Sequence, residues 1–89
     1  MAGVEEPPRI DFNTFVLSLS TSALMHLGAI PGAEGTPPEV NLAHARQTID
    51  ILGVLEEKTR GNLSGEEERI LHQVLDDLRM RFVKATGKR

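Results

Sequence analysis

The sequence lacks cysteine, tryptophan and tyrosine, and its only aromatic residues are Phe12, Phe15 and Phe82. Without cysteine the chain cannot form disulfides, which fits a reducing compartment and favours a cytoplasmic location. The core of these 89 residues must therefore be built mainly from aliphatic side chains. Because a core of this size supplies only roughly 3–5 kcal/mol, we expect further surface to be buried by association with other copies.

Charged side chains are also missing from one long stretch, because no Asp, Glu, Lys or Arg occurs between Asp11 and Glu34. The net charge of −3 argues against general nucleic-acid binding. Residues 1–68 hold four basic and eleven acidic residues, whereas residues 69–89 hold six basic and two acidic ones. Whether the basic segment 79–89, which has no acidic residue, binds an acidic surface stays open.

Proline and glycine mark the loops. Residues 31–40 hold three prolines and two glycines, which predicts a loop. Residues 1–9 are proline-rich and predict a flexible leader that lacks the features of a secretory signal. Residues 85–89 predict a flexible tail, so a single helical domain is expected over residues 10–84.

Apolar residues recur at helical spacing and predict an all-α fold without a sheet. The three helices are expected at about residues 12–30, 42–60 and 65–84. Asn41 is a good cap for the second helix, and Ser64 with Glu67 has the spacing of a capping box. The short connection over residues 60–64 predicts that helices two and three form an antiparallel hairpin.

The first helix has the length of a membrane span, but its Asn, Ser, Thr and His residues and the lack of basic flanks argue against one. Its polar face is either an ordinary exposed surface or an interface. A 3.6-residue helix groups Thr14, Ser18, Thr21, Ser22 and Met25 on one face. Because small residues let backbones approach and interface cores are depleted of charge, we predict contact with a second copy or a partner there. A homo-oligomeric bundle is expected, with a twofold dimer favoured.

No motif for catalysis or phosphate binding occurs, and we predict no catalytic residue, cofactor or metal. Each predicted helix holds one histidine, namely His26, His44 and His72, and three histidines can bind zinc if they converge. His72 and Asp76 lie one turn apart, which predicts a local pair. We therefore expect a non-enzymatic protein-interaction module. The alternatives are a metal-binding protein or enzyme with a site between subunits near the histidines, and a membrane-peripheral protein that uses helix one.

Three segments, one in each predicted helix, carry a resemblance: "FVLSLSTSALMHLG", "ARQTIDILGVLEEKTRGNL" and "DLRMRFV". Over about residues 10–83 the chain resembles the family catalogued as domain of unknown function 1844, which consists of short bacterial proteins. The resemblance implies a small all-helical bacterial protein. It implies no activity, substrate or catalytic residue.

Overall fold

The computed structural model describes residues 9–32, 35–37 and 39–87 of the chain. This part of the chain forms three α-helices and no strand, which confirms the predicted all-α fold. The helices are α1 (Phe12–His26), α2 (Leu42–Lys58) and α3 (Gly65–Thr86). Most of the predicted leader, the end of the predicted tail and residues 33, 34 and 38 of the predicted loop lie outside the described residues. The flexibility of the leader and of residues 88–89 therefore stays a prediction, whereas Ala85 and Thr86 of the predicted tail belong to α3.

α1 begins after Asp11, whose carboxylate accepts a hydrogen bond of 2.8 Å from the backbone N–H of Thr14. This bond satisfies one of the N–H groups that have no partner within the helix. It also lowers the pKa of Asp11, because the ionised carboxylate is the better acceptor.

α1 ends at His26, four residues before the predicted end, because Gly28 adopts the left-handed conformation with a φ of +79°. The N–H of Gly28 donates to the carbonyl of Met25, and the N–H of Ala29 donates to that of Leu24. These two bonds form a Schellman motif, which closes a helix by satisfying its last carbonyls. The prediction that helix one continues to residue 30 is therefore wrong.

α2 and α3 begin at the predicted caps. The side chain of Asn41 accepts from the N–H of His44, and Ser64 and Glu67 exchange the two reciprocal bonds of a capping box. α2 ends at Lys58, two residues earlier than predicted, where the Thr59 hydroxyl donates to the carbonyl of Leu55. α3 continues two residues further than predicted, to Thr86, before Gly87 turns the backbone at a φ of +72°.

The core lies between the three helices and is aliphatic, as the composition requires. Its buried hydrophobic members are Val16 and Ala23 in α1, Ala45, Ile49 and Leu52 in α2, and Leu71, Leu75 and Leu78 in α3. All eight belong to the apolar faces that helical spacing predicts. Phe12 and Phe82 pack against this cluster from its edge and stay partly exposed.

Each of the three helices is in contact with the other two. Three contacts between specific residues join neighbouring helices. The N–H of Asn41 donates to the carbonyl of His26 at 2.8 Å, which ties the start of α2 to the end of α1. His72 of α3 contacts Glu56 of α2. Further along α3, the guanidinium of Arg79 lies over Gly53 of α2.

Candidate functional site

The five residues of the predicted contact face, named here the uncharged stripe, are Thr14, Ser18, Thr21, Ser22 and Met25. They lie in α1, and helical spacing places them on the side away from the buried Val16 and Ala23. Thr14, Ser18 and Thr21 are exposed, whereas Ser22 and Met25 are half-buried. The structure therefore brings the five predicted residues onto one side of α1. That this side is an interface stays a prediction.

Two hydroxyls of the uncharged stripe are bonded within α1 itself. Ser18 Oγ donates to the carbonyl of Thr14 at 2.9 Å, and Thr21 Oγ1 donates to that of Leu17 at 3.0 Å. A serine or threonine that bonds back to the preceding turn has its donor satisfied without water. The central part of the stripe could therefore lose its hydration without leaving these two donors unpaired.

Met25 lies at the C-terminal end of the uncharged stripe, where the chain itself provides partial cover. It borders a cavity of about 290 Å³ beside the connection from α1 to α2. The other lining residues are His26, Gly32, Thr36, Pro37 and Glu39. Because the connection lies over this end, Thr14, Ser18 and Thr21 form the accessible part of the stripe.

Two large apolar side chains flank the uncharged stripe on the same helix. Phe15 is 41% exposed and Leu17 is 49% exposed. Helical spacing alone could not tell which apolar residues of α1 the other two helices leave uncovered. Large apolar side chains beside a surface without charge are typical of a contact region.

The three histidines do not meet at one place. His26 and His44 stack with ring centroids 4.7 Å apart, and Nδ1 of His26 is buried without a hydrogen-bond partner in the described part of the chain. His72 lies elsewhere, with Nε2 2.7 Å from Oε2 of Glu56. This contact replaces the predicted local pair with Asp76, because a well-placed carboxylate on α2 is nearer than the helical neighbour. Within residues 9–32, 35–37 and 39–87, no group of three or more His, Asp or Glu residues is placed to hold a metal ion.

The basic segment of α3 borders a second candidate site, a groove. The sequence alone showed only that the segment is rich in basic residues. A groove of about 200 Å³ lies between α2 and the C-terminal part of α3. It is lined by Arg46, Ile49, Asp50, Arg79, Phe82 and Val83. Gly53 is the one sequence feature that pointed to a close approach here. Glycine weakens a helix interior, and in this helix it leaves room for the guanidinium of Arg79.

A small all-helical protein with an uncharged first helix is thus the class that the fold and this geometry define. The family model named Domain of unknown function (DUF1844) matches residues 9–84 of the 89-residue chain. The chain belongs to this family. Comparison with curated proteins and with solved structures gives no significant match. None of the helices in the described part of the chain combines the length and the apolar content that a membrane crossing requires.

Proposed function

We propose that this chain is a non-enzymatic, cytoplasmic bacterial protein that works through protein contacts and assembles with a second copy through the uncharged stripe of α1. The observation that carries the proposal is the position of Thr14, Ser18 and Thr21, which are exposed on the side of α1 opposite its core residues. A twofold dimer is the favoured assembly, because one self-complementary patch serves both copies.

The hydroxyls of Ser18 and Thr21, which donate to carbonyls of α1, favour an interface over an ordinary solvent-exposed face. Removing water from a free hydroxyl leaves a donor unsatisfied, which costs about 1–3 kcal/mol. Ser18 and Thr21 avoid this cost because their donors are already bonded to carbonyls of α1. Phe15 and Leu17 add apolar area on either side, so that association removes hydrocarbon from water.

The arrangement of the other two helices explains why only one side of α1 is left for a partner. We expect α2 and α3 to form an antiparallel hairpin, an expectation supported by the short connection between Lys58 and Gly65. Further support comes from two approaches, Glu56 with His72 and Gly53 with Arg79, in which the earlier residue of α2 meets the later residue of α3. Such a hairpin covers the inner side of α1 and leaves the uncharged stripe outside.

The test places a charge at the centre of the uncharged stripe. Ser18→Glu and Thr21→Glu change exposed residues, so each folded subunit should persist, since Glu is at least as good a helix former as Ser or Thr. In a twofold interface each new charge would be buried against the other copy's α1, which carries no Lys or Arg to pair with it. We expect dissociation to increase at least about a hundredfold, because burying an unpaired charge at an interface costs several kcal/mol. Light scattering at micromolar concentration measures the mass, and circular dichroism checks the helices.

The matched control is Gln73→Glu, which adds the same charge at an exposed position of α3 and should leave the mass of the wild-type dimer unchanged. A monomeric wild type, or equal masses for all three variants and the wild type, would refute the proposal. The same preparations address the two alternative functions. Co-sedimentation with phospholipid vesicles would favour a membrane-peripheral role, and stoichiometric metal in protein purified without a histidine tag would favour a metal site.

A further inference from the structure

The C-terminal part of α3 differs in charge from the rest of the protein. Residues 69–89 carry a net charge of +4, whereas residues 1–68 carry −7. The basic residues in the described part of this segment are not equivalent. Arg81 is already paired, because its Nε lies 2.8 Å from Oδ2 of Asp77 on the next turn of the same helix. Arg79 makes no hydrogen bond or ion pair with the described part of the chain.

Arg79 lies at the groove between α2 and α3. Its guanidinium rests over Gly53, and a Cβ at that position would lie 3.5 Å from Arg79 Nη2. Across the groove is Arg46, whose nearest carboxylate is Asp50 at 3.9 Å. Since these two side chains are 72% and 69% exposed, that ion pair is weak and Arg46 remains open to a better partner.

Apolar side chains line the space between the two arginines. Ile49 is buried, Phe82 is half-buried and Val83 is 45% exposed, and all three border the groove. A volume of about 200 Å³ accommodates one or two aliphatic side chains. The surface thus combines hydrocarbon with two cationic forks, each of which can bind a carboxylate through two parallel hydrogen bonds.

We propose that this groove binds an acidic amphipathic segment of a partner protein. An aliphatic side chain of the segment lies on Ile49, Phe82 and Val83, and its flanking carboxylates pair with Arg46 and Arg79. This surface is separate from the uncharged stripe of α1, so the inference does not depend on the proposed dimer.

Charge complementarity favours a peptide over a nucleic acid at this place. Asp50 also borders the groove and would repel a continuous phosphate backbone, whose charges recur at a fixed spacing. A peptide can place its acidic residues on the two arginines and a neutral or donor group near Asp50. The apolar floor then contributes through burial of a side chain, which a phosphate backbone does not offer.

The test measures binding of a fluorescein-labelled synthetic peptide of one-letter sequence LEELLEE to the full-length chain by fluorescence anisotropy. We expect binding that weakens as salt is raised, because ion pairs at an exposed groove are screened. The peptides LKKLLKK and SEESSEE, which lack the acidic and the apolar groups respectively, should bind at least about tenfold more weakly.

Two pairs of variants locate the site. Arg79→Glu should weaken binding of LEELLEE at least about tenfold, whereas Arg69→Glu, an equal change of charge outside the groove on α3, should alter it by less than about twofold. Val83→Ser should weaken binding, whereas Met80→Ser, also at an exposed apolar residue of α3, should not. Absence of binding, equal binding of SEESSEE, or equal effects of the two arginine variants would overturn the proposal. If Arg79→Glu alone changes the mass of the protein, a second copy occupies the groove and the proposed partner is wrong.

Discussion

Along α3, charged residues occupy nine of 22 positions, with Glu66, Glu67 and Glu68 in the first turn and Lys84 in the last. Along the 15 residues of α1 there are none. α3 is therefore stabilised by features of its own sequence, namely its capping box, charges that suit the helix dipole and the Arg81–Asp77 pair. α1 has its Asp11 cap and its Schellman motif, but it holds no charged residue and no ion pair along its 15 residues, so it depends on the surfaces that cover it. Two helices of one core can therefore owe their stability to different sources, one to its own sequence and the other to its neighbours.

The largest expected effect is on the free energy of unfolding, and it distinguishes the buried face of α3 from the outer face of α1. Leu78→Ala in α3 should lower the free energy of unfolding by about 2–5 kcal/mol, because it empties a fully buried site. Leu17→Ala, the same change at a half-exposed position of α1, should cost less than about 0.5 kcal/mol in dilute monomer. Urea denaturation monitored by circular dichroism measures both.

The same pair also examines the proposed assembly. If a second copy covers α1, the cost of Leu17→Ala should grow with protein concentration, since association adds to apparent stability by mass action. The cost of Leu78→Ala should not. Equal costs at the two leucines in dilute protein would mean that the assignment of inner and outer faces is wrong.

A smaller effect concerns the end of α1. Gly28→Ala should destabilise the protein by about 1–2 kcal/mol, because the left-handed backbone disfavours a Cβ. That Cβ would also lie 2.9 Å from Val40 Cγ2, so the connection must shift. Gly65→Ala at the start of α3 is the control, since its backbone is helical and no atom lies within 4 Å of the added Cβ. Thermal unfolding should separate the two variants, and equal melting temperatures would argue against the observed end of α1.

The smallest expected effect is the pH dependence of the α1 cap. The N–H of Thr14 lowers the pKa of Asp11 in the folded chain below its usual value of 3.8. The contribution of the ionised cap to stability is therefore fully present above the unfolded pKa and is lost as the pH falls through the folded pKa. Asp11→Asn keeps an acceptor that does not titrate. Between about pH 5 and pH 2, wild type should lose slightly more in melting temperature than this variant, and parallel curves would exclude the effect.

Sequence alone predicted the helices and the caps well, because caps and apolar spacing are local features. Asn41, Ser64 and Glu67 lie where the pattern placed them. The end of α1 was missed because apolar residues continue past Gly28, and helical spacing alone does not reveal a left-handed backbone.

Features that depend on contacts between helices were harder to predict. The five residues of the uncharged stripe follow from spacing on one helix, so their common face could be predicted. The pairing of His72 with Glu56 and the position of Arg79 over Gly53 could not, since each joins residues of different helices. The exposure of Phe15 and Leu17 could not be predicted either. Helical spacing alone does not show which side of a wide apolar surface the neighbouring helices cover.

The unequal lengths of the two connections have a consequence for the order of folding. Between the ends of α1 and α2 lie residues 27–41, but between those of α2 and α3 only residues 59–64, where the N–H of Asn62 closes a turn on the carbonyl of Thr59. Closing the longer loop costs roughly 0.8 kcal/mol more entropy, so contacts between α2 and α3 should form first and α1 should dock last. A chain in which only α2 and α3 have paired would therefore still expose the apolar inner side of α1, with Val16 and Ala23, to water until this last helix docks.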